Sequence, residues 1–277
     1  MPEMPEVETV RQTLRKLVLN KEIKDITIFY DRIIQDNDKE RFKRSLIGKR
    51  IIEIGRKGKY LIFELSDNLF LVSHLRMEGK YFIKNNDEEI VKHEHIIFHF
   101  TDNTTLRYHD TRKFGTMELK SKDELYNSEP LKKIGMDADM IDVTYLKEKS
   151  RNKHQELKVF LIDQTNIAGI GNIYADEICH LSNLHPKQDI YYLNDIDYDN
   201  IVINTKNVMK RAIEAGGTTI RSYTSSLGVT GLFQLQLNVH TKAKEPCPCC
   251  GNLIIKTRVA GRGTYLCQNC QKIKIKK

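Results

Sequence analysis

Four cysteines are spaced Cys247-x-x-Cys250 and Cys267-x-x-Cys270, with sixteen residues between the two pairs. Two CxxC knuckles at that separation fit a four-thiolate Zn2+ site, and four protein ligands leave no open position for water or substrate. A redox dithiol is the other reading of a CxxC, but paired knuckles in one short segment favour the metal. The segment is too short and polar to form a core unaided, so zinc supplies its folding energy, on the order of 10 kcal/mol. Cys249 lies inside the first knuckle and stays out of the ligand set, because the spacing favours Cys250. Cys179, alone in a helical pattern, reads as a small core residue. Between the knuckles runs VAGRGTY, in which Gly261-Arg262-Gly263 reads as a hairpin turn presenting one arginine.

The other end of the chain, MPEMPEVETV, offers a second chemistry. If Met1 is removed, Pro2 becomes a secondary α-amine. An α-amino group has a pKa of roughly 7.7–8, so an appreciable fraction is unprotonated at neutral pH. Such an amine can attack a sugar C1′ and form a cationic iminium, an electron sink for elimination. Glu3 is adjacent as acid or base, with Glu6 one helical turn on. Alone, the stretch reads more readily as a plain proline turn ahead of a helix. Three further clusters, GRKGKYL, SHLRMEG and HDTRKFG, place Lys59, Met77, Arg112 and Phe114 near turns. A lysine after a glycine turn can point into a cleft, although an ordinary exposed lysine is the commoner reading. A thioether and a ring are more often core, but here can wedge into a base stack with the guanidinium filling in by hydrogen bonds. In DQTNIAGIGNIYADE a helix ends, a glycine turn follows, and a second helix opens near Gly171 and Asn172. Backbone N–H groups at such a start make a phosphate site, to which Asn172 can add a donor. A plain helical hairpin with packing glycines is the alternative.

Positioning these residues takes two kinds of element. Val7, Val10, Leu14, Leu17 and Val18 recur at helical spacing, which predicts a helix from about Pro5 to Leu19. Pro5 suits its first turn, and Glu6 and Glu8 complement its dipole. ITIFY, IIEIG, KYLIFEL, LFLVSHL, KYFIK, HIIFHF and TLRYHD then read as short strands separated by turns, an antiparallel sandwich or barrel ending near Pro130. From about Asp142 the period turns helical, through LKVFLIDQ, NIYADEICHLSNL and DYDNIVINTKNVMKRAIEAGG. The stretch TTIRSYTSSLGVTGLF reads as a long flexible loop.

Composition narrows the partners. The 277 residues carry a net charge of +8, and no acid follows Pro246 although seven lysines and arginines do. Such a balance suits a polyanion, nucleic acid first. No apolar run approaches a membrane span, and the start lacks the order of a signal peptide, so a cytoplasmic protein with no membrane partner is expected.

In order along the chain, MPEMPEVETV, GRKGKYLIFEL, SHLRMEGKY, KHEH, TRKFGT, DQTNIAGIGNIYADE, EAGGTTIRSY and GRGTYLCQNCQ resemble the bacterial formamidopyrimidine-DNA glycosylase family. The resemblance covers nearly the whole chain. It implies a multidomain α+β fold: an N-terminal antiparallel β-sandwich with a flanking helix (1–130), a helix–two-turn–helix domain (131–235) and a C-terminal β-hairpin zinc finger (236–277). It implies a monomer on damaged double-stranded DNA, bound across the cleft between its halves, flipping out 8-oxoguanine or a formamidopyrimidine. By position, Pro2 matches the Schiff-base nucleophile and Glu3 the general acid/base. Lys59 matches the lysine at the lesion, and Arg262 the finger arginine on the flanking phosphates. His74, His93, Lys153 and Asn172 match DNA contacts. Met77, Arg112 and Phe114 match the trio that fills the gap, and the loop around Thr218 to Tyr223 the lid over the extruded base. Met4 stands where leucine is usual, HTKAKEPC lacks the common glycines, and Cys249 is an extra thiol. Two rival readings are an endonuclease VIII-like enzyme for oxidised pyrimidines and a non-catalytic zinc-finger protein binding damaged DNA.

Overall fold

The computed structural model describes residues 2–218 and 231–274. The chain divides into two compact units, Met1–Lys132 with Gly216–Gly231, and Lys133–Ala215 with Leu232–Lys277.

In the first unit, α1 (Met4–Val18) is followed by β1 (Ile23–Ile28), α2 (Lys39–Leu46), β2 (Ile51–Lys57), β3 (Tyr60–Leu65), β4 (Leu69–His74), β5 (Lys80–Asn85), β6 (Glu94–Phe100), β7 (Thr104–His109) and β8 (Thr116–Ser121). The strands form two four-stranded antiparallel sheets, ordered β1-β6-β7-β5 and β2-β3-β4-β8. The sandwich expected from the strand-like runs is therefore present. Val7, Val10, Leu14 and Val18 of α1 join one core with Ile26, Phe98 and Leu106 of one sheet and Ile54, Phe63 and Leu71 of the other. Each such side chain contributes about 1.5–3 kcal/mol by leaving water. Among them the helix start is fixed, because the Glu3 backbone N–H donates to Glu6 Oε2 at 2.8 Å. That is half of a capping box, in which a first-turn carboxylate satisfies an orphan helix donor. α2 was not foreseen from sequence. Its segment KERFKRSL buries only Phe42 and Leu46, too sparse a stripe to announce a helix.

The second unit holds β9 (Met136–Asp137), α3 (Val143–Ser150), α4 (Leu157–Ile162), β10 (Ile167–Ala168), α5 (Asn172–Leu181), α6 (Asp195–Glu214), β11 (Ile255–Val259) and β12 (Arg262–Leu266). α6 opens with a full capping box between Asn194 and Asp197. α5 starts at the glycine turn, with Gly171 as its N-cap. β9 and β10 make a two-residue parallel pair, too short to leave a periodic signal. β11 and β12 pair with Val259 opposite Arg262, so the two turn residues are Ala260 and Gly261, both at positive φ. Arg262 is thus the first residue of a strand, one place beyond the tip that the sequence alone assigns it. Most of the stretch read as a flexible loop, 219–230, lies outside the described residues.

Candidate functional site

The first unit gathers the residues at the start of the chain. Pro2 is buried, and Glu3 is only 2% exposed. Glu6 holds them from two sides. One carboxylate oxygen takes the Glu3 N–H, and the other accepts from Thr218 N at 2.7 Å and Thr218 Oγ1 at 3.0 Å. Gly217 lies against that carboxylate at φ +79°, where an added Cβ would sit 2.8 Å from Glu6 Oε1. Only glycine satisfies both the backbone angle and the space. The segment leading to residues 219–230 is thereby tied to the chain start.

Lys59 follows Gly58 in the turn between β2 and β3 and is 5% exposed. That turn is braced from α1. Arg56 donates to Glu8 Oε2 at 3.0 Å and to the Gly58 carbonyl at 3.1 Å, and Glu8 also accepts from Arg11 and Gln12. Burial alone would raise the Glu8 carboxyl, but the bonds from Arg11, Gln12 and Arg56 outweigh it and hold Glu8 below the usual range. Sequence reading assigned Glu8 only to the helix dipole and missed Arg56. Their partnership spans 48 positions, and no local spacing encodes it.

His74 ends β4 beside Tyr60, whose ring meets it edge-on at 4.5 Å. Burial pushes its pKa down to about 3, with Arg76 and Lys59 adding repulsion. Its Nδ1 accepts from the Arg76 N–H at 2.9 Å, so neutral His74 carries its proton on Nε2 and offers a donor, not a charge. His93, at φ +74°, packs near His95 and His109 with ring centroids 6.1 and 5.7 Å away. Met77 is half-buried in the turn after β4. Arg112 and Phe114 are exposed in the turn before β8, with the guanidinium 4.7 Å from the ring centroid.

In the second unit Lys153 is exposed, and its Nζ donates to Asn166 Oδ1 at 3.1 Å. Asn172 opens α5, but its Nδ2 donates to the Gly263 carbonyl at 3.0 Å, so one of its two N–H groups serves the hairpin. Arg262 is exposed at the hairpin's end. Lys158, a fully buried ammonium of α4, also reaches Gly263 O, as well as Thr264 Oγ1 and Asp176. Glu177 accepts four hydrogen bonds from Asn238, Val239 and His240, fastening the segment that leads into the cysteine module.

The sulfurs of Cys247, Cys250, Cys267 and Cys270 all lie within 4.8 Å of one another. A donor set of four thiolates and nothing else fits one structural Zn2+. His180 Nε2 lies 3.3 Å from Cys247 Sγ, the kind of outer contact that orients a zinc ligand. Cys249 is exposed, and burial holds the Cys179 thiol protonated. The hairpin's own core is small, with Val239, Ile254 and the buried cysteines Cys247 and Cys267. Removing zinc with a chelator, or a Cys267→Ser change, should therefore abolish the one equivalent of bound metal and unfold the hairpin. The β-sandwich should keep its circular dichroism while the hairpin loses its fold. Metal analysis with circular dichroism checks this.

A two-sheet sandwich, helices around a glycine turn and a four-cysteine hairpin define a multidomain α+β zinc-finger protein. The chain matches the family models of the formamidopyrimidine-DNA glycosylase N-terminal domain over residues 1–117, of its H2TH domain over 129–224, and of the zinc finger found in FPG and IleRS over 244–273. It belongs to the formamidopyrimidine-DNA glycosylase family. It is 44% identical over 276 residues to the formamidopyrimidine-DNA glycosylase of Enterococcus faecalis, covering 99% of this chain and 98% of that protein. With that of Bacillus subtilis the identity is 45% over 274 residues, 98% and 99% of the two chains. Among solved structures, Lactococcus lactis Fpg in complex with abasic-site DNA superposes with a TM-score of 0.92 at 41% identity, covering 98% and 99% of the chains. Its complex with DNA containing N7-benzyl-Fapy-dG gives 0.92 and 41%, covering 98% and 100%.

Proposed function

We propose that this protein is a base-excision-repair DNA glycosylase that removes oxidised purines, 8-oxoguanine and formamidopyrimidines, and then cleaves the strand as an abasic-site lyase. The observation that carries the reading is the buried Pro2–Glu3 start, fastened by Glu6 and placed on the same unit as a buried lysine. The Pro2 nitrogen, once Met1 is removed, attacks C1′ of the damaged nucleotide. The glycosidic bond breaks, its electrons leave with the base, and Glu3 serves as acid and base for the proton transfers. The sugar ring opens to an iminium, which draws electrons as the C2′ proton is lost and the 3′ C–O bond breaks. A second elimination at the 5′ side follows. Lys59 is the proton donor and phosphate ligand for elimination, and Arg262 grips the flanking phosphates. His74 offers a neutral Nε2 donor, and His93, Lys153 and Asn172 add backbone contacts, which set register and not sequence. Met77, Arg112 and Phe114 fill the gap left by the extruded nucleotide.

In this reading residues 1–130 carry the chemistry, 131–235 the helical DNA contacts and 236–277 the finger. One copy acts on one duplex, in the bacterial cytoplasm, nucleoid-associated while it is bound to chromosomal DNA. A panel of duplexes tests the substrate. Excision of 8-oxoguanine opposite cytosine should exceed that of thymine glycol by at least about tenfold, one factor of roughly 1.4 kcal/mol in the barrier. Faster release of thymine glycol would instead make the enzyme endonuclease VIII-like, and damage-specific binding without cleavage would make it a non-catalytic reader.

A further inference from the structure

We propose that Tyr108 and Asp110 are positioning residues that lock the Met77 turn and the Arg112–Phe114 turn into one rigid wedge. The proposal rests on reading Met77, Arg112 and Phe114 as the gap-filling group. Asp110 is completely buried just beyond β7. Its Oδ1 accepts from the Arg112 N–H at 2.9 Å, and its Oδ2 from the N–H groups of Phe114 and Gly115, both at 2.9 Å. One carboxylate thus takes three backbone donors of a single turn, and charge-assisted bonds of this kind are about twice as strong as neutral ones. Its own backbone is fixed as well, because Asp110 N donates to His93 O at 3.0 Å and Asp110 O lies 2.8 Å from His95 Nε2. The exposed Arg112 and Phe114 side chains therefore stand on a turn that the rest of the sheet holds still.

Tyr108 extends the lock to the second turn. Its hydroxyl faces Asp110 Oδ2 at 3.4 Å, a long contact, and that hydroxyl oxygen also lies against two glycines. An added Cβ would lie 1.6 Å from it at Gly115 and 2.4 Å from it at Gly79. Gly115 follows Phe114, and Gly79 closes the turn that carries Met77, donating to Leu75 O at 2.9 Å. Neither glycine has a positive φ, so each supplies space: Gly115 for this hydroxyl, and Gly79 for it and for the Leu75 carbonyl, 2.6 Å from the added Cβ. One phenol oxygen therefore sets the separation of two turns whose tips would enter the base stack. Opening a stack costs a few kcal/mol per step, and a wedge that had to order itself at that moment would add its own entropy.

The test is stopped-flow extrusion on a duplex with 8-oxoguanine opposite cytosine and 2-aminopurine beside it, run alongside cleavage of a pre-formed abasic site. Asp110→Asn should slow extrusion about tenfold or more, the scale of a lost charge-assisted bond, and change abasic-site cleavage by less than about threefold. Tyr108→Phe should slow extrusion to a smaller extent, about threefold, and it decides the matter if Asp110→Asn does not fold. In a Phe114→Ala background, Asp110→Asn should add less than about twofold, because two residues acting through one wedge are not additive. Parental extrusion rates in both variants, equal losses on both substrates, or multiplying losses in the double variant would overturn the proposal. Parental extrusion in Phe114→Ala alone would instead overturn the wedge reading beneath it.

Discussion

Protein carrying one extra residue ahead of Pro2 should give no borohydride-stable adduct with an 8-oxoguanine duplex, where protein beginning at Pro2 gives one in good yield. The difference between the two is one bond. With any residue in front, the Pro2 nitrogen is a tertiary amide with no lone pair free to attack. Without it, the nitrogen is a secondary amine that forms an iminium reducible by borohydride. Loss of a covalent nucleophile of this kind costs roughly 10⁴-fold or more in turnover. The setting sharpens the effect. Pro2 and Glu3 are buried and Glu6 holds the Glu3 N–H at 2.8 Å, so a freed Pro2 amine is presented from a fixed chain start. A Lys59 amine is the rival nucleophile, and Lys59→Met in protein beginning at Pro2 separates them. That variant should still be trapped, though its strand cleavage slows. Trapping of the extended protein, or its loss in Lys59→Met alone, would move the chemistry from the chain start to the lysine. Intact mass before and after reduction reads both outcomes.

How much of this was legible in the sequence depends on how local each signal is. Val7, Val10, Leu14 and Val18 sit at helix spacing, and all four are in the core. The CxxC pairs carry their geometry in their spacing, and the four sulfurs do converge. Short β-branched runs with their own turn signals announced seven of the sandwich strands, but not β8, whose TMELKS holds one β-branched residue. What failed to show was whatever depends on a partner distant in sequence. Arg56 looks like an ordinary strand arginine until Glu8, 48 positions away, takes it. Asp110 looks like a turn aspartate, and its neighbour Tyr108 gives no sign that its hydroxyl lies where a Cβ at Gly79 or Gly115 would sit. Lys158 is the plainest case. In LKVFLIDQ a lysine reads as the solvent face of a helix, yet it is inaccessible because its partners come from α5 and β12.

That buried lysine sets the other large effect. Asp176→Ala should lower the stability of the second unit by about 3–5 kcal/mol, the cost of leaving a buried charge without its counter-ion. Neither side chain of the Lys158–Asp176 pair, 2.7 Å apart, has any solvent access. Asp176 also binds His240 Nδ1 at 2.7 Å and accepts from the Tyr265 N–H at 3.2 Å, so one carboxylate joins α4, α5, the segment before the finger and the hairpin itself. With it gone, Lys158 keeps, among the described residues, only Gly263 O and Thr264 Oγ1, neither of them an anion. The same change at a half-exposed pair, Glu22→Ala beside Arg50, should cost under about 1 kcal/mol, since water screens that contact. Asp176→Asn keeps the shape and should fall between. Because Asn172 and Lys158 converge on Gly263 O, the residue after Arg262, loss of the carboxylate should also loosen the hairpin and speed zinc release to a colorimetric chelator. Thermal unfolding and chelator kinetics on the three variants read the two effects separately. A melting temperature for Asp176→Ala equal to that of Glu22→Ala would show that the pair carries no more weight than a surface contact, and that the zinc hairpin is held to the helices by packing alone.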